Sequence, residues 1–432
     1  MEGLILKGGR VIDPASGRDE IADVLIQDGK VAKISPLVPS RNARVINISG
    51  KIVVPGLIDM HVHLREPGEE YKETIATGTR AAARGGFTTL VCMPNTRPPV
   101  DNASVVRFIQ DRARQEGMVN VLVAGAITKD GGGQELSEIR ELVEAGVVAL
   151  SDDGNPVMNS EVMRRALEYS IMWDLPIICH CEDKNLTVEG MINEGYISTV
   201  AGLKGIPWVA EDIMVARNLM LAEMTGGKLH IAHVSTRGAV EIIRAAKSKG
   251  VPVTAETAPH YFCLTEESLR GYDTNCKINP PLRKEEDVKA IKEGLADGTI
   301  DIIATDHAPH ATWEKAVEFR EAPFGIIGLE TAIPLSLTEL VGKGIISLKD
   351  LLTKMTINPA RTLKIDASKG WLGEGADADL TVIDPQKEIV VDPEKFLSKG
   401  RNTPFGGWKL KGEAVFVVVG GKLIGEEEKC KD

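Results

Sequence analysis

Short apolar runs alternate with helix-like segments between about residues 50 and 310. Segments 71–84 and 162–172 carry apolar residues at helical spacing, and the apolar runs are short enough to be strands. This alternation predicts repeated β/α units and a parallel sheet, and eight units predict an α/β fold built as a (β/α)8 TIM-like barrel. The predicted strands lie near 53–61, 88–93, 119–124, 147–151, 176–180, 229–234, 251–255 and 301–305.

Both ends of the chain show a different pattern. Residues 4–12 and 22–34 are rich in strand-forming residues and contain an Asp-Gly turn at 28–29, which is typical of a hairpin. Residues 377–383 and 414–424 repeat this pattern near the other end. We therefore predict a small β-sandwich domain formed by both chain ends, with residues 1–53 as its first part, the barrel at 54–365 and the second part at 366–432.

The composition indicates a globular protein with a large core, since 43% of the 432 residues are hydrophobic. Acidic residues outnumber basic ones by 62 to 51, and the net charge of -11 argues against nonspecific binding to nucleic acid or to an anionic membrane. No apolar run approaches the roughly 20 residues of a membrane helix, and the first residues do not resemble a secretory signal. These features predict a cytoplasmic protein.

The cysteines are too few and too scattered for a disulfide framework in a chain of this size. We expect reduced thiols that serve mainly as small packing residues. They are Cys92, Cys179, Cys181, Cys263, Cys276 and Cys430.

Two histidines, His61 and His63, lie two residues apart at the end of the first predicted strand. Alternate strand residues share a face, so the two imidazoles point the same way. An isolated pair of this kind is as consistent with two half-exposed strand residues as with a metal site. Its interpretation therefore depends on the residues that follow the other strands.

Reactive residues of barrel enzymes lie at the carboxyl ends of the strands, where side chains distant in sequence converge. Here Asn95 follows the second predicted strand, and imidazoles or carboxylates end several others. Four imidazoles and two carboxylates suit a borderline divalent ion, zinc first. Six ligands exceed one tetrahedral site, which favours two ions per chain. The predicted ligands are His61, His63, Asp153, His180, His233 and Asp306.

Neighbouring residues compete for several of these inward positions, because adjacent strand residues face opposite sides. Strand alternation alone does not choose between Asp152 and Asp153. Position at the strand end favours His233 over His230, and a carboxylate that ends the last strand favours Asp306 over His307. We interpret His260 as a loop or core histidine and Glu182 as a residue that supports a ligand.

A second group of residues points to an anionic substrate. Arg65, Asn95 and His310 are expected at the same mouth, where together they can hold a carboxylate through charge-assisted hydrogen bonds. Gly325 and Gly328 allow the backbone to approach a ligand closely. The charged segment 311–321 is predicted to be a mobile lid.

The chain resembles the amidohydrolase superfamily and, within it, the class I dihydroorotases. The likeness covers essentially the whole chain, and the His-Leu-Arg tripeptide with the Asp-His-Ala-Pro-His run separates these enzymes from hydantoinase-like relatives. The residues that carry it are Pro55-Gly-Leu-Ile-Asp-Met-His-Val-His-Leu-Arg-Glu-Pro-Gly68, Met93-Pro-Asn-Thr96, Ser151-Asp-Asp-Gly154, His180-Cys-Glu182, His233-Val-Ser235, Asn279-Pro-Pro-Leu-Arg283, Ala304-Thr-Asp-His-Ala-Pro-His310 and Pro323-Phe-Gly325.

The resemblance implies residue roles. One metal is assigned to His61, His63, Asp153 and Asp306, and the second to Asp153, His180 and His233. Many superfamily members bridge their metals with a carboxylated lysine. Asp153 occupies that position here and is shorter, so occupancy of the second site depends most on this replacement. The implied substrate contacts are His63, Leu64, Arg65, Asn95, Asn279, His310, Phe324 and Gly325.

The implied reaction is the reversible cyclisation of N-carbamoyl-L-aspartate to L-dihydroorotate in de novo pyrimidine (UMP) biosynthesis, by metal-bound hydroxide with Asp306 as the acid and base. One alternative is a cyclic amidohydrolase of the hydantoinase, dihydropyrimidinase or allantoinase type, from which Arg65 would distinguish this chain. Another is a non-catalytic partner in an enzyme assembly. A homodimer and an association with aspartate transcarbamoylase are further expectations.

Overall fold

The structure is a computed structural model that describes residues 3–39 and 43–425. Eighteen strands are found in these residues, and we number them in chain order. They are β1 (Gly3–Asp13), β2 (Arg18–Gln27), β3 (Lys30–Ser35), β4 (Ala43–Asn47), β5 (Ile52–Pro55), β6 (Leu57–Val62), β7 (Phe87–Cys92), β8 (Asn120–Ala126), β9 (Ala149–Ser151), β10 (Ile177–Cys179), β11 (Ile192–Asn193), β12 (Gly205–Ile206), β13 (Leu229–Ile231), β14 (Val253–Thr257), β15 (Ile302–Ile303), β16 (Leu380–Val390), β17 (Lys409–Val419) and β18 (Lys422–Ile424).

Helices fill most of the intervals between the middle strands. The α-helices are α1 (Ile75–Gly85), α2 (Ala103–Glu116), α3 (Ile139–Glu144), α4 (Ser160–Ser170), α5 (Tyr196–Ala201), α6 (Val209–Thr225), α7 (Arg237–Ser248), α8 (Pro259–Cys263), α9 (Glu285–Asp297), α10 (Thr312–Lys315), α11 (Ala332–Ser336), α12 (Leu348–Met355) and α13 (Ile357–Thr362). Short 3-10 turns lie at Lys129–Gly131, Ile171–Trp173, Glu266–Leu269, Thr274–Cys276 and Pro393–Lys395, and a π-helical turn at Leu337–Val341.

The eight middle strands form a parallel barrel in the order β6-β7-β8-β9-β10-β13-β14-β15. The first and last strands meet through a parallel bridge between Val62 and His307, where the His63 amide donates to the His307 carbonyl at 2.9 Å. The predicted (β/α)8 fold is confirmed. Closure brings the carboxyl end of β6 beside that of β15, although about 240 residues separate them in sequence.

Local signals fix where helix α1 begins and ends. The Thr74 hydroxyl accepts from the Thr77 amide, and the Thr77 hydroxyl accepts from the Thr74 amide, which forms a capping box. The helix ends at Gly86, whose φ of 94° is left-handed and suits glycine. Helix α1 therefore covers most of the predicted segment 71–84, but it begins four residues later.

The two chain ends form one mixed eight-stranded sheet in the order β18-β17-β16-β5-β1-β2-β3, with β4 on β1. The predicted association of the chain ends is thus present. The predicted first barrel strand, 53–61, is divided at Gly56, because β5 pairs with β16 of this terminal sheet while β6 begins the barrel. The domain limits at 53 and 365 remain a prediction.

Apolar side chains form one large cluster between the barrel and its helices and a separate one in the terminal sheet. Five cysteines are free thiols, four of them buried, while Cys430 lies outside the described residues. In residues 3–39 and 43–425, no helix combines the length and the apolar character needed to cross a bilayer.

Candidate metal and substrate site

Asp153 lies at the centre of a ring of imidazoles at the carboxyl ends of the strands. Its Oδ1 is 3.3 Å from His61 Nε2, 3.6 Å from His233 Nε2 and 3.8 Å from His180 Nδ1. Its Oδ2 is 3.5 Å from His63 Nε2. One carboxylate thus faces four imidazole nitrogens, as a ligand shared by two ions would.

Asp306 completes the ring from the end of the last barrel strand. Its Oδ1 lies 3.1 Å from His63 Nε2 and 3.7 Å from His61 Nε2. The structure therefore brings all six predicted ligands together. Asp152 points away, since its carboxylate accepts from the backbone amides of Ile127 and Thr128 at 2.7 and 3.1 Å.

Hydrogen bonds on the outer side of three rings fix which nitrogen faces the centre. His61 Nδ1 lies 2.6 Å from Glu256 Oε1, His63 Nδ1 lies 2.9 Å from Asn95 Oδ1, and His180 Nε2 lies 2.9 Å from Glu182 Oε2. Each acceptor takes the N–H of a neutral ring and leaves the lone pair of the other nitrogen directed inward. This is the tautomer that binds a metal ion.

The inward atoms fit divalent cations. His61 Nε2 and Asp153 Oδ1 are both buried and have no hydrogen-bond partner. Two sets, His61 with Asp153 and His233, and His61 with His63 and Asp306, place their donor atoms within 4.8 Å of one another. Buried polar atoms without partners are costly, and a cation bound between them would remove that cost.

The charges around the cluster favour a cation as well. Burial disfavours a charged His61, yet Asp153 and Glu256 outweigh burial and raise its pKa well above the usual value. Burial also disfavours the Asp306 carboxylate, but the neighbouring imidazoles of His63 and His61 lower its pKa to about 2. A site that attracts a proton so strongly attracts a divalent ion by the same electrostatic forces.

Three of the candidate residues have a strained backbone. Arg65, His233 and Asp306 have φ values of 61°, 35° and 49°, in the left-handed region that non-glycine residues seldom adopt. Such conformations cluster at functional sites, where the surrounding structure holds them in place. They turn these side chains into the mouth as each strand ends.

Glu256 was not predicted as a site residue. It lies in β14, buried at 1% exposure, between the metal-facing His61 and His230, whose Nε2 is 3.2 Å from Glu256 Oε2. His230 also contacts Thr254 Oγ1 at 2.7 Å and does not face the cluster, as strand alternation predicted. The only sign of Glu256 in the sequence was its position, directly after the predicted strand 251–255.

The cluster opens into a cavity of about 490 Å³. His63, Arg65, Asn95, Asn279, Phe324 and Gly325 line it together with the metal-facing residues Asp153, His180, His233 and Asp306. Five of the six predicted ligands and most predicted substrate contacts therefore share one cavity. Its size suits a small-molecule ligand.

Two predicted substrate contacts are not among the residues that line the cavity. Leu64 is 2% exposed and belongs to the barrel core, so its side chain is a packing residue. His310 is in close contact with Gly325, and its Nε2 lies 2.8 Å from the Phe324 carbonyl. Burial and the neighbouring Arg65 lower the pKa of His310 to about 2, so the ring is neutral and donates to that carbonyl.

Glu182 connects the metal side of the cavity to its substrate side. Its Oε2 lies 2.9 Å from His180 Nε2, 2.9 Å from Asn279 Nδ2 and 2.7 Å from Lys184 Nζ. The side-chain NH2 group of Asn279 thus donates to Glu182, and the side-chain carbonyl oxygen of Asn279 is left as a hydrogen-bond acceptor. His260 is buried nearby, and burial lowers its pKa to about 4, which agrees with a neutral core histidine.

Two buried lysines fasten the segment that was predicted to be a lid. Lys315, in helix α10, donates to the carbonyls of Thr274, Lys277 and Pro323 at 2.9, 3.3 and 2.7 Å. Lys277 donates in turn to the carbonyls of Phe319 and Arg320 at 2.7 and 2.9 Å. The segment is thus held to its surroundings at Lys315 and at residues 319–320, and its mobility remains a prediction.

Comparison with known proteins identifies the family. A dihydro-orotase-like family model matches residues 50–239, and an amidohydrolase family model matches residues 281–424. A dihydroorotase from Pelotomaculum thermopropionicum is 58% identical over 421 residues, which are 98% of this chain and 98% of that protein. The chain belongs to the dihydroorotase family. A second member, from Geobacter metallireducens, is 56% identical over 422 residues, 98% of this chain and 99% of that protein.

Solved structures of more distant relatives share the whole architecture. An L-hydantoinase from Arthrobacter aurescens superposes with a TM-score of 0.89 at 28% identity, covering 99% of this chain and 96% of its own. A D-hydantoinase from a Thermus species superposes with a TM-score of 0.84 at 26% identity, covering 97% and 94%. The hydantoinases are thus relatives of the dihydroorotase family at lower identity. The predicted resemblance and the predicted class, a hydrolase of cyclic amides, are confirmed.

Proposed function

We propose that this protein interconverts N-carbamoyl-L-aspartate and L-dihydroorotate, the ring-closing step of pyrimidine synthesis. One observation carries the proposal: Arg65 faces the same cavity as the cluster of imidazoles and carboxylates. Dihydroorotate carries a carboxylate that the rings of hydantoin and dihydrouracil lack. A fixed guanidinium beside the reactive centre is the group that recognises this difference.

We propose two zinc ions per chain, held by His61, His63, Asp153 and Asp306 at one position and by Asp153, His180 and His233 at the other. The inward lone pairs and the central position of Asp153 support this arrangement. Bound zinc would polarise the ring amide carbonyl and activate water at neutral pH.

The protein groups then bind the substrate and transfer a proton. Arg65 and the amide of Asn95 hold the substrate carboxylate, and the carbonyl oxygen of Asn279 accepts from a ring N–H. Asp306, a carboxylate at neutral pH, takes the proton of the attacking water and gives it to the ring nitrogen as the C–N bond breaks. Ring closure follows the same path in reverse, with loss of water. His310 supports the Phe324-Gly325 backbone that faces the substrate.

The test is to assay purified protein with dihydroorotate, N-carbamoyl-L-aspartate, hydantoin and dihydrouracil, and to count zinc per chain. We expect turnover of the first two substrates, little turnover of the two rings without a carboxylate, and loss of turnover in Asp306→Ala. Preferential turnover of hydantoin or dihydrouracil would instead support a hydantoinase-type enzyme. Absence of all turnover in zinc-loaded protein would support a non-catalytic assembly partner.

The remaining expectations concern the cellular setting. A cytoplasmic location, a homodimer and an association with aspartate transcarbamoylase fit an enzyme of pyrimidine synthesis, and they stay proposals. Light scattering of the purified chain, alone and mixed with aspartate transcarbamoylase, measures the last two.

A further inference from the structure

A segment that joins two strands of the terminal sheet reaches the mouth of the barrel. Residues 391–408 connect β16 to β17, and within them Asn402 is buried at 2% exposure. The backbone carbonyl of Asn402 accepts from the Ile327 amide at 3.0 Å. This bond fixes Asn402 beside residues 308–327, which we call the substrate loop because it includes Ala308, Phe324 and Gly325 of the cavity. Because Asn402 is buried there, the polar atoms of its side chain must form hydrogen bonds with groups of the barrel rather than with water.

The side-chain amide of Asn402 makes hydrogen bonds to two separate stretches of that loop. Its Nδ2 donates to the carbonyls of Ala308 and Gly325 at 2.9 and 3.0 Å, and its Oδ1 accepts from the His310 amide at 3.1 Å. Both N–H donors and the acceptor are therefore engaged. No other type of side chain offers two donors and one acceptor in this planar arrangement at this length.

The residues that Asn402 holds are those that face the substrate. Ala308 and Gly325 line the cavity beside Arg65 and Asp306. A Cβ at Gly325 would lie 2.7 Å from the Ala308 carbonyl oxygen and 2.9 Å from the His310 ring, so the two stretches are already in close contact. The groups that form hydrogen bonds to both stretches therefore set their spacing, and Asn402 is such a group.

We propose that Asn402 is a positioning residue for substrate binding, which fixes the Ala308 and Phe324-Gly325 backbone at the spacing that dihydroorotate requires. It touches neither the metal-facing atoms nor the cavity, and it acts through the backbone that it holds. The proposal rests on the proposed function, because dihydroorotate is the ligand assumed for this cavity.

The chemistry of the amide indicates two informative substitutions. Asn402→Asp keeps the size but replaces both N–H donors by oxygen, which would face two carbonyl oxygens. Asn402→Ala removes all three side-chain hydrogen bonds without adding charge. This variant tests the proposal if Asn402→Asp does not fold. Asn358→Ala is the matched control, since Asn358 donates to the Asp301 carbonyl at 2.8 Å at the opposite end of β15.

The experiment measures KM and kcat for dihydroorotate, zinc per chain and the melting temperature of each variant. For both Asn402 variants we expect KM to rise roughly tenfold, with kcat changed less than about threefold and zinc content unchanged. Asn358→Ala should keep the wild-type KM even if it melts earlier. Wild-type turnover of dihydroorotate tests the proposed function separately, before any variant is compared.

A double-mutant cycle identifies the path of the effect. If Asn402 acts through the loop that contains His310, then Asn402→Ala and His310→Ala will raise KM by less together than the product of their separate effects. Two results would overturn the proposal: a wild-type KM in Asn402→Ala, or independent effects in the cycle. A KM change that also appears in Asn358→Ala would mean general destabilisation and would overturn it too.

Discussion

For three of the four histidines, the ring nitrogen turned toward the cluster is set by residues that do not belong to the cluster. Glu256 is the clearest case, because it accepts from His61 at 2.6 Å while lying within 3.2 Å of His230. Burial alone would raise the pKa of Glu256, but the two imidazoles lower it to about 2, so it is a carboxylate at neutral pH. It therefore increases the basicity of His61 as a ligand.

We predict that Glu256→Gln weakens zinc binding roughly 10–100-fold, because an amide replaces the carboxylate that orients His61. Titration with a competing chelator measures the affinity. Glu241→Gln is the control, since the Glu241 side chain is 64% exposed. Unchanged zinc affinity in Glu256→Gln would show that the orientation of His61 does not depend on this carboxylate.

We predict that Arg65→Met raises KM for dihydroorotate roughly 100-fold, because a charged hydrogen-bond donor to the substrate carboxylate is lost. Steady-state kinetics with dihydroorotate and with dihydrouracil measure the effect. The small activity on dihydrouracil should change little, since that ring has no carboxylate. Survival of the wild-type KM would mean that Arg65 does not recognise the substrate.

Sequence reasoning identified the candidate metal ligands more completely than the residues that form hydrogen bonds to them. Strand ends and residue chemistry predicted five of the ligands directly, and family resemblance chose Asp153 over Asp152. The structure supports that choice, because the Asp152 carboxylate accepts hydrogen bonds from two backbone amides and points away from the cluster. Asn402 could not be predicted, since the partners of its side chain lie 77 to 94 residues earlier and only the folded chain brings them together. The ring of His310 contacts the Phe324 carbonyl, and its contact with the substrate stays a prediction.

At the scale of elements, helix α10 is held to the segments that precede and follow it in the chain by one buried side chain. The ammonium of Lys315 is buried, and its three carbonyl partners come from both sides of the segment. The sequence showed only that residues 311–321 are charged, and on that basis they were predicted to be a mobile lid. Burial of Lys315 at 6% exposure shows that one of those charges points inward.

We predict that Lys315→Met lowers the free energy of unfolding by about 2 kcal/mol, because three buried carbonyls lose a charged donor. It should also raise KM, since Pro323 precedes the substrate-facing Phe324. Denaturant unfolding and steady-state kinetics measure both changes. In Lys343→Met, which removes an exposed pair with Glu339, the change should stay within about 0.5 kcal/mol. Equal effects in the two variants would contradict a fastening role.

At the scale of the whole molecule, the barrel and the terminal sheet are connected by more than the polypeptide chain. Lys369 pairs with Asp379 at 2.5 Å, and Asn120 of β8 donates to the same carboxylate at 2.9 Å. A second connection joins the amide of Ser398, between β16 and β17, to the Glu330 carboxylate at 3.1 Å. We infer that the two parts unfold as one unit.

We predict a single unfolding transition in calorimetry, and a rise in its midpoint when zinc is added. Zinc at one hundred times its dissociation constant should stabilise the folded state by about 2.7 kcal/mol. Removal of metal by a chelator should abolish dihydroorotate turnover, and zinc should restore it. Two separate transitions, or full activity after chelation, would contradict this view of the molecule.

The division at Gly56 has a consequence for how the protein can be rearranged. Its amide donates to the Asp379 carbonyl at 2.8 Å, and a side chain there would collide with Thr88, so one residue separates the terminal sheet from the strand that carries His61. A barrel cut free at this point would lose the anchor of its first strand and, with it, the alignment of the histidines of the cluster. Viable circular permutants should therefore open the chain elsewhere and leave this junction whole.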